Sequence, residues 1–452
     1  MLENCINCEM KLSNRVLFLG IFLLFLSCSK GDNPDVDEET KEQEEEVVEL
    51  PVLSTVQITE ISHRSAKSGG TITSDGGASI SQKGICWHTE KNPTINNSYT
   101  IDGDDVGSFN SNMDDLDGNT TYYVRAYATN EVGTSYGNEL IFKTEEVPVV
   151  VFDGDLELAS QAEVDEVGEK GYTVITGSLS IITRTSLPSD ITNLDGLKQV
   201  TEVGESLHIQ RSRIANLDAL SNLKTIGGSL SIISNSILEE IDFLNEMTEI
   251  KSDVVISSNG VSSVSGFKKV TSVNGDLSLT SLVDLETMDG FGSLVAIKGS
   301  LQIQSVLGTN MSGFNSLNTV DGDLEIKTTL MNDMDGFNSL KTIGGSLTLL
   351  ANISLDNVDG LGNLSSIGGD LIFYDNDSPF NNNFTDGLKN LDGLINLISV
   401  GGELQISSHK PLNDFCGLKA LAASGFSGNY QVNSNGYNPT LAQLVSEECK
   451  SE

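Results

Sequence analysis

The sequence predicts an all-β protein in which a β-sandwich is followed by a right-handed β-solenoid of about eleven rungs. The main observation is an apolar strand motif that recurs between residues 152 and 449, mostly at steps of 23 or 24 residues. A second observation is a series of short β-rich runs in residues 51–145, separated by clusters of Gly, Asn, Asp and Ser. The composition agrees, because 38% hydrophobic and 20% charged residues are typical of a globular chain.

The charge of the chain limits the partners that it can bind. It carries 64 acidic and 26 basic residues, for a formal net charge of −38. Nucleic-acid binding requires a basic surface, so we predict no nucleic-acid partner. With only 4 histidines and 6 scattered cysteines, the sequence predicts no metal centre and no cofactor.

Residues 1–27 are predicted to be a signal peptide. Basic residues precede an apolar run from Val16 to Leu26, which is too short to cross a hydrocarbon core of roughly 30 Å. Such a run is typical of the central region of a signal peptide. Translation starts either at Met1 or, in a more conventional pattern, at Met10.

The end of this run carries a lipidation motif. The residues Phe25-Leu26-Ser27-Cys28 resemble the lipobox of bacterial lipoproteins. The resemblance implies that Cys28 receives a lipid and that the protein is anchored in the outer membrane. An uncleaved anchor, or an ordinary signal peptide with an incidental cysteine, is the alternative.

Residues 28–50 are predicted to be a disordered acidic tether. The stretch from Asp32 to Glu49 holds ten acidic residues and one basic residue, so it repels itself and buries little apolar area. Acidic residues that follow a lipidated cysteine also resemble the export signal of surface lipoproteins in some Gram-negative bacteria. This implies display on the extracellular side, with the periplasmic face as the alternative; the stretch acts as a solvated spacer in either case.

Residues 51–145 are predicted to form the sandwich. The clearest strand runs from Thr120 to Asn130, with alternate residues on opposite faces. Leu116 and Thr120-Thr121-Tyr122 resemble the tyrosine corner of fibronectin type III domains, in which the tyrosine hydroxyl bonds to upstream backbone. Trp87 is predicted to lie in the core, on the same face as Ile85.

Two motifs in the sandwich suggest chemistry that their context does not support. Residues 133–137 match G-x-S-x-G, but a nucleophile elbow requires a following helix, and residues 138–144 have the pattern of another strand. The acidic stretch 102–117 fails the EF-hand template, because Val124 stands where the template requires Glu. We therefore expect hairpin and turn structure, with a looser calcium site as the alternative.

Residues 152–452 are predicted to form the solenoid and its C-terminal cap. A typical rung contains a strand such as Gly177-Ser178-Leu179-Ser180-Ile181 and a corner such as Leu391-Asp392-Gly393-Leu394. The two apolar residues of each strand face inward, and stacking the rungs buries them in one core. The glycine before each strand is expected to allow a tight corner or a positive φ.

These motifs resemble leucine-rich repeats and, more closely, the receptor L domain of the insulin and epidermal growth factor receptor ectodomains. The resemblance covers about 300 residues and implies a binding scaffold. The repeat asparagine of leucine-rich repeats stands only in some rungs, at Asn235, Asn259, Asn352 and Asn376. There are no cysteine-rich flanks and no kinase, so only the scaffold role carries over.

The two ends of the solenoid contain predicted caps. An amphipathic helix over Gln161–Glu169 covers the N-terminal end, and a helix that Pro439-Thr440-Leu441 opens and that ends near Cys449 lies at the other. Cys416 and Cys449 remain as a pair in an exported chain, so we predict a disulfide between them. Closing a loop of this size is worth roughly 3–4 kcal/mol in the chain-entropy model.

The candidate ligand surface consists of side chains that face outward from the predicted strands, together with an insertion at about residues 374–386. Insertions in repeats become surface loops and often bind ligands. Leu350, Ile372 and Tyr374 form an apolar cluster that either marks a partner surface or packs under the insertion. The candidate residues are His208, Gln210, Ile233, Gln302, Gln304, Leu350, Ile372, Tyr374, Phe380 and Phe384.

The predicted function is that of a non-catalytic surface lipoprotein whose solenoid binds a protein or glycan ligand, in adhesion or recognition. A structural or self-associating surface protein is the alternative. A glycan-active enzyme is less favoured; it would require two carboxylates roughly 5–10 Å apart in a cleft, for which Asp323 and Glu325 are the candidates.

Overall fold

The computed structural model describes residues 47–183, 189–308, 311–376, 387–446 and 448–451. The predicted signal peptide, Cys28 and most of the predicted tether lie outside these residues. The chain divides into two compact units, with the boundary between Glu145 and Glu146. No helix in the described ranges is both long and apolar enough to cross a membrane.

The first unit is a sandwich of two antiparallel sheets. One sheet has the strand order β1-β2-β5, and the other has the order β4-β3-β6-β7 with β8 paired to β6. The strands are β1 (Val52–Thr59), β2 (Ala66–Ser74), β3 (Gln82–His88), β4 (Ser98–Tyr99), β5 (Gly107–Met113), β6 (Thr121–Thr129), β7 (Thr134–Tyr136) and β8 (Leu140–Lys143).

The strand β6 is the central strand that the alternating pattern predicts. Val124, Ala126 and Ala128 on one of its faces are fully buried. Tyr122 forms the predicted corner, since its hydroxyl oxygen accepts a hydrogen bond of 3.0 Å from the backbone N–H of Asp117. Trp87 differs from the prediction: it packs against the core but is only partly buried, whereas Ile85 is fully buried.

The G-x-S-x-G match lies in a hairpin. Strand β7 occupies residues 134–136, and β8 follows at residues 140–143, both paired to β6. A strand therefore stands where a nucleophile elbow requires a helix, which agrees with the rejection of that motif.

The second unit is a solenoid built around one parallel sheet, which we call the long sheet. Its twelve strands pair in chain order and in register, so that each first apolar residue lies beside the next, as Leu324 lies beside Leu347. The strands are Leu156–Leu158, Leu179–Ile182, Leu207–Gln210, Leu230–Ile233, Val254–Ser257, Leu277–Thr280, Leu301–Gln304, Leu324–Lys327, Leu347–Leu350, Leu371–Tyr374, Leu404–Ser407 and Tyr430–Asn433.

The twelfth strand is one more than the repeat motif predicts. Tyr430–Asn433 pairs in parallel with Leu404–Ser407 but lacks the Leu-x-Ile pattern of the other rungs. Its two inward residues, Tyr430 and Val432, are only partly buried, because no further rung covers them. A terminal strand does not need the full core motif, and so the motif does not detect it.

Shorter strands form parallel sheets separate from the long sheet, which we call the opposite wall, except that Glu240–Ile241 and Ser263–Val264 form a two-stranded sheet of their own. The 3₁₀ turns form the corners. The short strands are Val151–Phe152, Val174–Ile175, Glu202–Val203, Thr225–Ile226, Glu240–Ile241, Glu249–Ile250, Ser263–Val264, Ser272–Val273, Ala296–Ile297, Thr319–Val320, Thr342–Ile343, Ser366–Ile367 and Ser399–Val400. The 3₁₀ turns are Asp195–Leu197, Asp218–Leu220, Asp289–Phe291, Ser312–Phe314, Asp335–Phe337, Asp359–Leu361, Asp392–Leu394 and Cys416–Leu418. Most of these turns carry the predicted Asp-Gly corner motif.

The core is a continuous column of aliphatic and aromatic side chains. At the corner, Phe267, Phe291, Phe314 and Phe337 are fully buried and stack on one another. Their successive ring centroids are 4.8, 5.3 and 5.6 Å apart. One rung alone could not cover these rings, so burial depends on the neighbouring rungs.

Both ends of the solenoid carry helices. The N-terminal helix α1 (Gln161–Lys170) has a capping box at Ser160 and buries Val164 and Val167. The C-terminal helices are α2 (Lys419–Ala423), which the sequence did not predict, and α3 (Leu441–Val445), which ends earlier than predicted. A disulfide joins Cys416 to Cys449, as predicted, with a Cα–Cα distance of 4.9 Å.

Candidate ligand-binding face of the solenoid

The outward side chains of the long sheet form one aligned surface, which we call the outer face. In each four-residue strand the first and third residues are inward and mostly fully buried, while the second and fourth point outward. Because the rungs are in register, the outward residues form two columns along the solenoid. The outer face is therefore a by-product of the same alternation that builds the core.

A ladder of small polar side chains fixes the start of each strand. The residue before the first apolar position is Asp or Ser in most rungs, and its side-chain oxygen accepts a hydrogen bond from the equivalent backbone N–H of the next rung. For example, Ser300 Oγ accepts from Asp323 at 3.1 Å, and Asp323 Oδ1 accepts from Ser346 at 2.6 Å. These carboxylates have a structural role.

The glycines before the strands are explained by this ladder. A Cβ atom at Gly345 would overlap the Asp323 carboxylate and the Gly322 backbone of the preceding rung. Of the glycines at this position, Gly154 in the first rung has a positive φ of 104°. The predicted tight corner is thus confirmed for the later rungs, whereas a positive φ is required only at the first.

The end of each strand uses left-handed backbone and a second polar ladder. From the third strand onward, the residue after each strand has a positive φ even though it is not glycine, as at Thr328 with 56° and Ala351 with 54°. The following residue points inward and is polar in two runs of rungs. In the first run, Asn235 Nδ2 donates to Asn259 Oδ1 at 3.1 Å and to the Ile209 carbonyl at 3.0 Å.

The second run extends through five consecutive rungs and includes a histidine. Thr329 Oγ1 donates to Asn352 Oδ1 at 2.8 Å, and Asn352 Nδ2 donates to Asn376 Oδ1 at 3.1 Å. His409 continues the ladder, since its Nε2 lies 3.1 Å from Asn376 Nδ2 and its Nδ1 lies 3.2 Å from Asn435 Oδ1. The repeat asparagines identified in the sequence thus satisfy buried backbone carbonyls.

The partners of His409 assign its proton. Asn376 Nδ2 can only donate, so Nε2 accepts and the proton sits on Nδ1, where it is donated to Asn435. The ring is fully buried, and this burial lowers the pKa of His409 to about 4. His409 is therefore a neutral member of the ladder.

The middle of the outer face is a polar network. Ser278 Oγ donates to Gln302 Oε1 at 3.0 Å, and Gln302 Nε2 donates to Glu325 Oε2 at 3.4 Å. Lys327 Nζ pairs with Glu325 Oε1 at 2.8 Å. Of the hypothesised enzyme pair, Glu325 is thus held by a lysine and an amide, and Asp323 accepts a hydrogen bond from the backbone of the next rung.

The apolar cluster lies on the next two rungs. Leu350 pairs in register with Tyr374, and Thr348 pairs with Ile372. Tyr374 is 42% exposed, while Leu350 and Ile372 are partly exposed. The cluster therefore presents a mixed aliphatic and aromatic surface beside the polar network.

The remaining predicted residues are dispersed along the outer face. His208 and Gln210 are on one strand and Ile233 is on the next, where it lies beside Gln210. Gln302 and Gln304 lie three rungs beyond that strand. Phe380 and Phe384 lie outside the described residues, as does most of the predicted insertion.

Several acidic side chains elsewhere have protein partners. In the sandwich, Asp102 Oδ2 accepts hydrogen bonds from the hydroxyls of Thr100 and Ser111. Asp105 pairs with the buried Lys83, and this hydrogen bond and charge lower the pKa of the Asp105 carboxyl. In the described ranges, the one cluster with metal-ligand geometry is Asp414 with Cys416 and Cys449, whose sulfurs are joined in the disulfide.

Comparison with protein families agrees with the repeat architecture. The model of the receptor L domain matches residues 172–261 and 295–364. These two segments contain the long-sheet strands from Leu179–Ile182 to Val254–Ser257 and from Leu301–Gln304 to Leu347–Leu350. The predicted all-β class, with a receptor L domain-like solenoid, is confirmed. No curated protein sequence matches the chain at a significant level.

Several solved structures are similar to about a fifth of the chain. A human fourth fibronectin type III domain is 19% identical, with a TM-score of 0.19, and the match covers 23% of this chain and 90% of that domain. The sensor domain of the anti-sigma factor RsgI4 from Pseudobacteroides cellulosolvens is 20% identical, with a TM-score of 0.18, and the match covers 22% of this chain and 78% of that domain.

Proposed function

We propose that this chain is a non-catalytic lipoprotein of the outer membrane, displayed on the extracellular side, whose solenoid binds a protein or glycan through the outer face. The single observation that carries the proposal is the outer face itself, where two columns of side chains are aligned over successive rungs and contribute nothing to the core. A receptor L domain match supports a role in recognition.

The composition of the outer face favours recognition over chemistry. The polar network around Gln302 and Glu325 offers amide and charged groups, and the neighbouring cluster around Tyr374 offers apolar area. This combination of an apolar patch with oriented polar groups is what protein and glycan ligands require. The sandwich and the tether are proposed to hold the solenoid away from the membrane.

Ligand screening with outer-face variants tests the binding proposal. The chain without its signal peptide and Cys28 is applied to a glycan array and to host and bacterial surface proteins. The double variant Leu350→Ser with Tyr374→Ala should lose any ligand found, whereas Thr319→Ala with Thr342→Ala on the opposite wall should retain it. Equal binding by both variants would contradict the proposed site.

Lipid anchoring and display are tested separately. The Cys28→Ser variant should move from the outer-membrane fraction to the soluble fraction, and protease added to intact cells should cleave the wild-type chain. Retention of the variant in the membrane would contradict lipidation. Protection of the wild-type chain in intact cells would place it on the periplasmic face.

A further inference from the structure

A second surface lies beside the outer face, on the turn that follows each strand. Val283, Leu307, Leu330 and Ile353 each stand two residues beyond the left-handed position, in four successive rungs. Val283 is 54% exposed, Leu307 is 43% exposed, and the other two are partly exposed. We call these four residues the apolar ridge; it is separate from the proposed outer-face site.

The rung spacing determines which type of segment fits the ridge. Backbone bonds join the turns directly, from Ser281 to Gln304, Ser305 to Lys327 and Thr328 to Leu350, each at 2.9–3.0 Å. Ridge residues therefore repeat at the parallel-strand spacing of ~4.8 Å.

An α-helix laid along the solenoid matches this repeat. Residues on one helical face recur every ~3.5 residues, or about 5.2 Å. Same-face residues of an extended strand recur at about 6.7 Å. Across the three steps of the ridge, the mismatch between the repeat of the bound segment and the rung spacing reaches roughly 1–1.5 Å for a helix and roughly 6 Å for a strand. Only the helix places one apolar side chain opposite the ridge residue of each rung.

The acidic residues beside the ridge determine which charges a bound helix should carry. Asp284, Glu286 and Asp333 follow the ridge residues in their turns, and the first two are exposed. None of the three has an ion-pair partner among the residues that the structure describes. Asp356 in the ninth rung is paired with Lys389 at 3.4 Å. A second copy of this chain would bring like charges together, given its net charge of −38.

We propose that the apolar ridge binds an amphipathic helix of a partner polypeptide. The helix places apolar residues at heptad spacing on the ridge and lysine or arginine residues beside Asp284, Glu286 and Asp333. Helix-in-groove recognition of this kind reads apolar anchors at i, i+3 or i+4, and i+7, and flanking charges select the partner.

The test uses a synthetic peptide with leucine at heptad positions a and d and lysine at the other positions, and a twin with glutamate in place of lysine. Fluorescence anisotropy measures their binding to the chain without its signal peptide and Cys28. We expect saturable binding of the lysine peptide and a Kd at least tenfold higher for the glutamate twin. For the lysine peptide, Leu307→Ser with Leu330→Ser should raise the Kd at least tenfold.

The control replaces a more exposed apolar pair that lies off the ridge. Ile395 and Ile398 are 58% and 56% exposed, and their double change to serine should alter the Kd less than twofold. Thermal melting checks that the variants fold, and Val283→Lys provides a second ridge change at a more exposed site. Equal effects of ridge and control variants, or absence of saturable binding, would overturn the proposal. A dimer in sedimentation that the ridge variant abolishes would also overturn it, since the occupant would then be a second copy.

Discussion

His409 makes the stability of the solenoid sensitive to pH. Its pKa is about 4 in the folded chain, against 6.5 when exposed, because a buried ring between Asn376 and Asn435 is held neutral. The unfolded chain therefore takes up a proton first as the pH falls. The stability that the neutral His409 ring provides is fully present above pH 6.5. As the pH falls from 6.5 to about 4, the free energy of unfolding decreases by roughly 3 kcal/mol in total.

The matched variant for this prediction is His409→Asn, which places the ladder's usual residue at the same position. Urea unfolding of both proteins at pH 7.5, 5.5 and 4 isolates the histidine, because other titrating groups cancel in the difference. The wild-type free energy of unfolding should fall relative to the variant as the pH is lowered. A constant difference would contradict the assignment of a neutral buried ring.

Thr328 occupies a conformation that is costly for its residue type. Its φ is 56°, and a β-branched residue in the left-handed region is strained, whereas asparagine tolerates it. Thr328→Asn should therefore raise the free energy of unfolding by about 1 kcal/mol. Thermal and urea unfolding measure the gain. Thr342→Asn, at a strand position with ordinary backbone, should show no gain.

The backbone conformation at the two ends of each strand could not be predicted from the sequence. The repeat predicts a glycine before each strand. The reason that glycine is required is a carboxylate or hydroxyl of the preceding rung that a Cβ atom would overlap, as at Gly345 and Asp323. Positive φ occurs instead at non-glycine residues after the strands, where the sequence shows Ser, Thr, Ala, Arg or Asp. Local residue type does not reveal a conformation that inter-rung hydrogen bonds impose.

At the scale of one element, the phenylalanine stack links neighbouring rungs. Phe314 is fully buried between Phe291 and Phe337, at centroid distances of 5.3 and 5.6 Å. Phe314→Ala should lower the free energy of unfolding by about 3–5 kcal/mol, since it removes the ring and leaves a cavity. Urea unfolding followed by circular dichroism measures the loss.

The control is Phe314→Leu, since leucine occupies the same corner position at Leu361, Leu394 and Leu418. This change should cost clearly less than Phe314→Ala. Equal costs would mean that the aromatic stack, and not the filled volume, stabilises the corner.

The strands of the long sheet could be predicted where the apolar repeat is complete. The last strand, which has no further rung beyond it, could not. The rungs from Leu179 to Leu404 carry two inward apolar residues each, and this alternation also predicts the outer face. Tyr430–Asn433 lacks the motif because it is the last rung. The apolar ridge was missed because its residues lie in turns, where alignment depends on the stacking of rungs and not on strand alternation.

At the scale of the whole molecule, the net charge of −38 opposes the compact state. Corner aspartates in neighbouring rungs contribute to this repulsion. The pKa of Asp335 is raised, first by burial and then by the negative charges of Asp333 and Asp359. A raised carboxyl pKa means that the ionised group destabilises the fold, and that this cost is relieved as the pH falls toward the pKa or as salt screens the charges.

The melting temperature of the chain should therefore rise between 10 mM and 500 mM NaCl, because the screening length falls from about 30 Å to only a few Å. Asp335→Asn should raise the melting temperature at low salt and reduce the response to added salt. Asp321→Asn is the matched control, since Asp321 pairs with Lys298 at 3.2 Å and its removal deletes an attraction. That variant should be no more stable than the wild type at low salt. A melting temperature that falls with added salt would show that attractive pairs outweigh the repulsion among the corner carboxylates.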